Sequence, residues 1–468
     1  MTQVQPQNWR RGLTGALVLV PVLVTAACTA TTHSGAPTAP AVSSTSPAGS
    51  SGSPAAPASS APASPASRAS RASATPAPQA APTSPIATPS AVATPADVEP
   101  GDSPAAKTPA RSGAGGSGNA SPSASALPVA QGFDPTRMVL EKTITGHLDE
   151  KSVVASGTGL FFAQNMMYLH TINVYNASYH LVKIIPDTVN LAAFGYPQYP
   201  GLYKGAPVEA AFTPDHKDVY ISNYSMYGAT PFTREGSDTC TLGDHYPDSF
   251  VYRINVARLT IDQVIEVGAV PKFVAVTPNG KYLLVSNWCS YNETIIDIAS
   301  GKVVTTIPLG PYPRGIAIDP VSGTAYVAVM GSTRIAAINL TTFAVSWING
   351  VGSAPRHLVM SPDGHWLYAT LNGAGDVAKV SLVSRTVVAR VRTGDAPRSM
   401  AMSPDGSYIY VVNYMSNTMS KVRTSDMRVV QTVPTNPNPI GITYDAATHH
   451  VWVACYSGSI MVFRDGTA

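Results

Sequence analysis

Four cationic side chains recur at one fixed interval along the 468-residue chain: Lys272, Arg314, Arg356 and Arg398, each 42 residues after the one before. Each directly follows a proline, namely Pro271, Pro313, Pro355 and Pro397. Cations gathered by a repeat attract anions, and a guanidinium grips a carboxylate or phosphate through two parallel hydrogen bonds. Their other open role is to tie down a neighbouring loop carbonyl, repeat after repeat. His357, beside Arg356, is a candidate to join such a site. A second set is aromatic. Tyr224, Trp288 and Tyr414 follow Asn223, Asn287 and Asn413, and Tyr456 takes the matching place in the last repeat. Rings interleaved with arginines stack on bases or sugars, and packing between repeats is the alternative. The three asparagines read as structural caps of strand ends.

Signatures of catalysis are poor. The chain has no His-Glu-x-x-His, no nucleophile elbow and no phosphate loop, and Gly157-Thr-Gly159 is too short for a dinucleotide fingerprint. Glu209, Asp244, His245 and Asp248 form a catalytic or metal cluster only if folding brings them together. No catalytic residue, cofactor or metal ligand is assigned.

The elements that must position these residues follow from the repeat. The frame opened at Pro271 returns at Pro313, Pro355, Pro397 and Pro439, every 42 residues. Two looser copies lie upstream, one from Pro207 and a degraded one from about Asp149, which makes seven. Inside a repeat the apolar pattern is that of strands. Arg314-Gly-Ile-Ala-Ile-Asp319, Thr324-Ala-Tyr-Val-Ala-Val329, Arg334-Ile-Ala-Ala-Ile-Asn339 and Phe343-Ala-Val-Ser-Trp-Ile348 are short β-branched or aromatic runs between Gly, Pro, Asp and Ser turns. Four such strands make one propeller blade. The Ser-Pro-Asp-Gly turns at Ser361–Gly364 and Ser403–Gly406 suit tight reversals, with proline presetting φ and glycine accepting a positive one. The last repeat stops one strand short, and Met138-Val-Leu-Glu-Lys-Thr-Ile144 matches the missing outer strand. The expected fold is therefore all-β, a single seven-bladed β-propeller over residues 132–468, its last blade closed by an N-terminal strand that removes two open edges.

Endings such as Tyr410-Val-Val-Asn413, with Pro-Asp-Gly turns at this period, resemble the YVTN-repeat β-propellers, the bacterial extracytoplasmic YncE-like group. The resemblance covers residues 138–464. It implies the propeller fold and leaves function open, because that group includes DNA-binding members and has distant relatives with lactonase or quinoprotein activity.

Subtracting the 42-residue scaffold exposes two insertions. One, at about 189–204, carries Phe194, Tyr196, Tyr199 and Tyr203; the other spans about 224–249. In a four-stranded meander both connections leave from the same end of the sheet, so both cover one face of the ring near blade 2. Long loops in a compact repeat carry function more often than they serve as plugs. Cys240 lies in the second insertion, and Cys289 in the equivalent turn of the next blade. In an oxidising compartment a Cys240–Cys289 disulfide is expected, tethering the insertion over the ring; two buried thiols is the alternative. This pair alone makes no metal site. Cys455, within a strand, reads as a buried hydrophobe.

The N-terminus reads as an export signal. Arg10-Arg11 precede an apolar stretch from Leu13 to Ala27 that ends in small residues before Cys28. This looks like a lipobox, so residues 1–28 are expected to be a lipoprotein-type signal with Cys28 lipidated, a plain secretory signal being the alternative. The route, Sec or twin-arginine, stays open. Residues 29–131 are Ala, Pro, Ser and Thr with almost no large apolar side chain, a disordered low-complexity linker that acts as a semi-stiff spacer.

Charge narrows the partners. Of 30 basic residues six precede residue 132, and of 27 acidic ones three do, which leaves 24 of each in the propeller. A neutral total argues against tight nonspecific DNA binding, although the local cation ring keeps single-stranded nucleic acid open. The expected function is that of a monomeric, lipid-anchored cell-envelope protein. It recognises a partner protein, a glycan or another anionic polymer on its insertion-bearing face. A lactonase-like hydrolase or quinoprotein-like dehydrogenase working in the central funnel is the alternative.

Overall fold

In a computed structural model, which describes residues 137–466, the chain forms seven antiparallel sheets arranged in a ring. Blade 1 comprises Glu150–Ala155, Leu160–Asn165, Thr171–Asn176 and Leu181–Pro186. Blades 3, 4, 5 and 6 start on the inner strands Pro271–Val276, Pro313–Ile318, Pro355–Met360 and Pro397–Met402. Inner strands touch in cyclic order, blade 1 meeting both blade 2 and blade 7. The second and third strands of each blade are buried along their length because both faces pack against other blades. The outer strands face solvent and alternate, as in Thr386–Arg392. Every seam carries its own apolar cluster, for example Tyr410, Val412, Val451 and Val453 between blades 6 and 7.

Closure is as the repeat arithmetic requires. Met138–Thr145 pairs antiparallel with Ser459–Asp465, so blade 7 is built from both ends of the propeller. At that seam Phe161 of blade 1 stacks on Trp452 of blade 7 at 3.8 Å between centroids. Inner strands approach so closely that some positions exclude a Cβ. One at Gly441 would lie 2.6 Å from Ser152 Cα, and one at Gly315 would lie 2.7 Å from the Arg356 carbonyl oxygen.

The Ser-Pro-Asp-Gly turns form as expected. Gly364 and Gly406 have φ of +70° and +74°, and each donates its N–H to the serine carbonyl at 2.9 Å. Blade 2 departs from the four-stranded plan. Its inner strand begins early, at Leu202, and pairs with an added strand, Thr188–Asn190. Its second strand, Asp218–Tyr227, runs four residues past Asn223. The first insertion supplies this fifth strand. The signal, Cys28 and the linker lie outside the described residues.

Candidate functional site

The repeat places a cation and its neighbour at one rim by a shared hydrogen bond. The residue before the opening proline of blades 3 to 7 has positive φ: Val270, Tyr312, Ala354, Ala396 and Asn438 lie between 50° and 63°. Its carbonyl then accepts the N–H of the residue that follows the second strand. Trp288 binds Val270 in this way at 2.9 Å, Met330 binds Tyr312 at 2.9 Å, and Tyr414 and Tyr456 bind Ala396 and Asn438 at 3.0 Å. The start of the inner strand, with its cation, is thereby fastened to the turn that carries the aromatic.

Lys272, Arg314, Arg356 and Arg398 accordingly converge on the insertion-bearing rim, and all four are at least 95% buried. A fifth cation joins them. Lys151 in blade 1 is buried and lies 4.8 Å from the Tyr456 ring. Sequence reasoning missed it because blade 1 opens on Glu150 and not on a proline. The available signal was register, since Glu150 pairs with Asn165 as Pro271 pairs with Asn287.

The rings take up the cations. Lys272 Nζ sits 4.0 Å from the Trp288 ring and 5.3 Å from Tyr224, Arg398 Cζ sits 3.6 Å from Tyr414, and Arg314 Cζ sits 5.8 Å from Trp288. Tyr414 and Tyr456 meet edge to face at 6.1 Å. Trp288 also stacks on Tyr312 at 4.5 Å. Arg314 Nη1 is buried with no hydrogen-bond partner among the described residues.

The second insertion lies over part of this rim. A Cys240–Cys289 disulfide joins it to blade 3. Tyr291 and Tyr312 both donate their hydroxyls to the Cys240 carbonyl, at 2.7 and 3.0 Å. Asp238 pairs with Lys272 and also accepts from Tyr224, and its carbonyl accepts from Trp288 Nε1 at 3.1 Å. The first insertion packs beside it, with Tyr199 edge-on to Phe232 at 5.0 Å. Both insertions thus share one face near blade 2.

Below the rim, His357 of blade 5 lies edge-on to Phe273 of blade 3 at 5.2 Å, and its Nδ1 accepts the Met400 N–H at 3.4 Å. Burial, then Arg356 and Arg314, press its pKa down to about 3, so the imidazole is neutral at pH 7. Burial pushes the Glu209 carboxyl up to about 7, against the pull of Arg314 and Arg356. Asp244 and the residues near it do not join Glu209. Asp244 caps a short turn, accepting the Thr241 N–H at 2.6 Å, and faces Arg234 at 3.7 Å. No group of three metal-binding side chains occurs among the described residues.

Asn287 and Asn413 act as strand-end braces, donating to Thr294 and Ser420 at 2.8 and 3.1 Å. Asn223 differs. Its carboxamide has no partner among the described residues and faces the space over Gly205 beside Asp187.

The family model described as the cytochrome D1 heme domain matches residues 327–453, from the second strand of blade 4 to that of blade 7. A search of curated proteins finds no match. Among solved structures, Kuenenia stuttgartiensis hydrazine synthase is similar over 69% of this chain and 98% of its own, with 17% identity and a TM-score of 0.55. These matches support a β-propeller and carry the fold alone. Each histidine of the matched segment has another contact, so none stands ready as a haem ligand. Within the matched segment His357 is engaged with Met400 and Phe273, His365 with Asp363, His449 with Tyr444 and His450 with Glu141.

Proposed function

We propose that this chain is an exported, lipid-anchored cell-envelope binding protein of the YVTN-repeat, YncE-like kind, recognising an anionic partner on its insertion-bearing face. The observation that carries the reading is Arg314. Its Nη1 is buried without a hydrogen-bond partner among the described residues, between Lys272 and Arg356 on the ring of inner strands. Desolvating a cation is costly unless an opposite charge compensates it, so an arriving anion gains more here than at an exposed arginine. The lipobox-like sequence at Cys28 and the Ala/Pro/Ser/Thr tract support anchoring through a spacer. Titration of the full chain with sulfate and with short anionic oligomers tests the binding. Arg314→Gln is expected to weaken it about 10-fold or more, and binding that ignores this substitution sinks the reading. Cys28→Ser is expected to move the protein from the membrane to the soluble fraction.

One observation favours a second reading, a lactonase-like hydrolase. Glu209 holds a carboxyl near pH 7 beside two arginines, the proton affinity that suits a general acid or base. Glu209→Gln discriminates, since it removes lactone hydrolysis in an enzyme and leaves anion binding in place in a binder.

A further inference from the structure

The rim carries one example of what it accepts. Asp238 of the second insertion is held there as a piece of peptide, with its carboxylate on Lys272 Nζ and the Tyr224 hydroxyl and its carbonyl on Trp288 Nε1. Cation and ring are paired again further round. Arg398 lies against Tyr414, and Lys151 against Tyr456. The insertion is fastened on the side of blades 2 to 4, through Cys289, Tyr291 and Tyr312. On the opposite side Tyr414 and Tyr456 are half-buried and Met415 is exposed. Arg314, next along the ring from Lys272, contributes the buried Nη1 without a partner among the described residues.

We propose that the arc from Arg314 through Arg356 to Arg398 takes a side-chain carboxylate of an acidic peptide segment from a partner protein, held as the rim holds Asp238. The inference rests on the anion-binding reading above and names its ligand class. Two features select a peptide carboxylate. The bound example is an aspartate. A planar guanidinium matches a carboxylate fork better than an ammonium does.

The test titrates the full chain by calorimetry at low salt with an eight-residue oligo-aspartate, the matched oligo-asparagine and an oligogalacturonate. Oligo-aspartate is expected to bind and oligo-asparagine not. Arg314→Gln is expected to weaken oligo-aspartate about 10-fold or more, the effect of losing one charge-assisted hydrogen bond, and Arg314→Lys to retain part of the affinity. Thermal melts establish that each variant is folded. If Arg314→Gln does not fold, Arg398→Gln is held to the same expectation. Equal binding of the two peptides, or oligo-aspartate binding untouched in a folded variant, overturns the proposal. Oligogalacturonate binding that depends on Arg314, without oligo-aspartate binding, overturns the peptide assignment and leaves the anion-binding reading standing. If neither polyanion binds, both fall.

Discussion

His357 and Glu209 lie in the same funnel, where burial opposes charge, and they bend the pH dependence of stability in opposite directions. An unfolded chain protonates a histidine near 6.5, whereas folded His357 takes a proton only near about 3. As pH falls below 6.5 the unfolded state gains a proton that the folded state refuses, so stability is lost down to about pH 3. Glu209 keeps its proton up to about 7 when folded and loses it near 4.5 when unfolded. Its contribution is complete below 4.5 and is lost as pH rises to 7. Glu150, pushed up to about 8 by burial, acts in the same direction. Urea unfolding at pH 4, 6 and 8 is expected to show a flatter acid limb in His357→Gln and a flatter 4.5–7 window in Glu209→Gln. Slopes unchanged from the parent would mean that water reaches both groups. Neither shift is legible in the sequence, since His357 and Glu209 stand 148 positions apart and acquire their common neighbours only through the ring.

Among the elements, the second insertion and the inner-strand seams make separate contributions. The Cys240–Cys289 bond closes a 49-residue separation, for which chain entropy gives a stabilisation of about 4 kcal/mol. The double substitution C240S/C289S is expected to lower the unfolding free energy by that amount or less, and to open residues 228–248 to limited proteolysis while the blades resist. Cleavage within the blades at the same rate would show that the insertion is integral to the ring. The closing seam has no such freedom. Gly441→Ala drives a methyl against the Ser152 backbone, and overpacking of this kind costs about 1–3 kcal/mol. A thermal melt indistinguishable from the parent would show that the inner strands of blades 7 and 1 part without strain. The seam glycine is not dictated by the repeat, because the place held by Gly441 and Gly315 carries Phe273, His357 and Ser399 in the other frames. The disulfide partner was legible from the repeat. Equivalent turns of adjacent blades share a rim, so Cys240 and Cys289 meet once the insertion lies on that rim.

For the whole molecule, closure decides whether seven modules behave as one. Met138–Thr145 covers the edge of Ser459–Asp465, and Met138 also exchanges hydrogen bonds with Gln431 of blade 6, at 2.6 and 3.1 Å. A chain beginning at Gly146 leaves that edge unpaired, and exposed strand edges recruit other chains. It is expected to elute as oligomers in size-exclusion chromatography and to unfold at a lower temperature than the parent. A monomer with the parent's melt would show that blade 7 needs no fourth strand. The amino-acid sequence determined the number of blades, the closing strand, the rim shared by the cations and rings, and the disulfide, because a 42-residue period with period-two apolar runs permits one arrangement of strands. Tertiary structure decided what that period does not encode: Lys151 as a fifth cation, Asp238 as the partner of Lys272, the fifth strand of blade 2, and the burial that sets the protonation of His357 and Glu209. Those outcomes depend on which side chains from distant repeats face one another across the ring axis, and local pattern carries no record of distance through space.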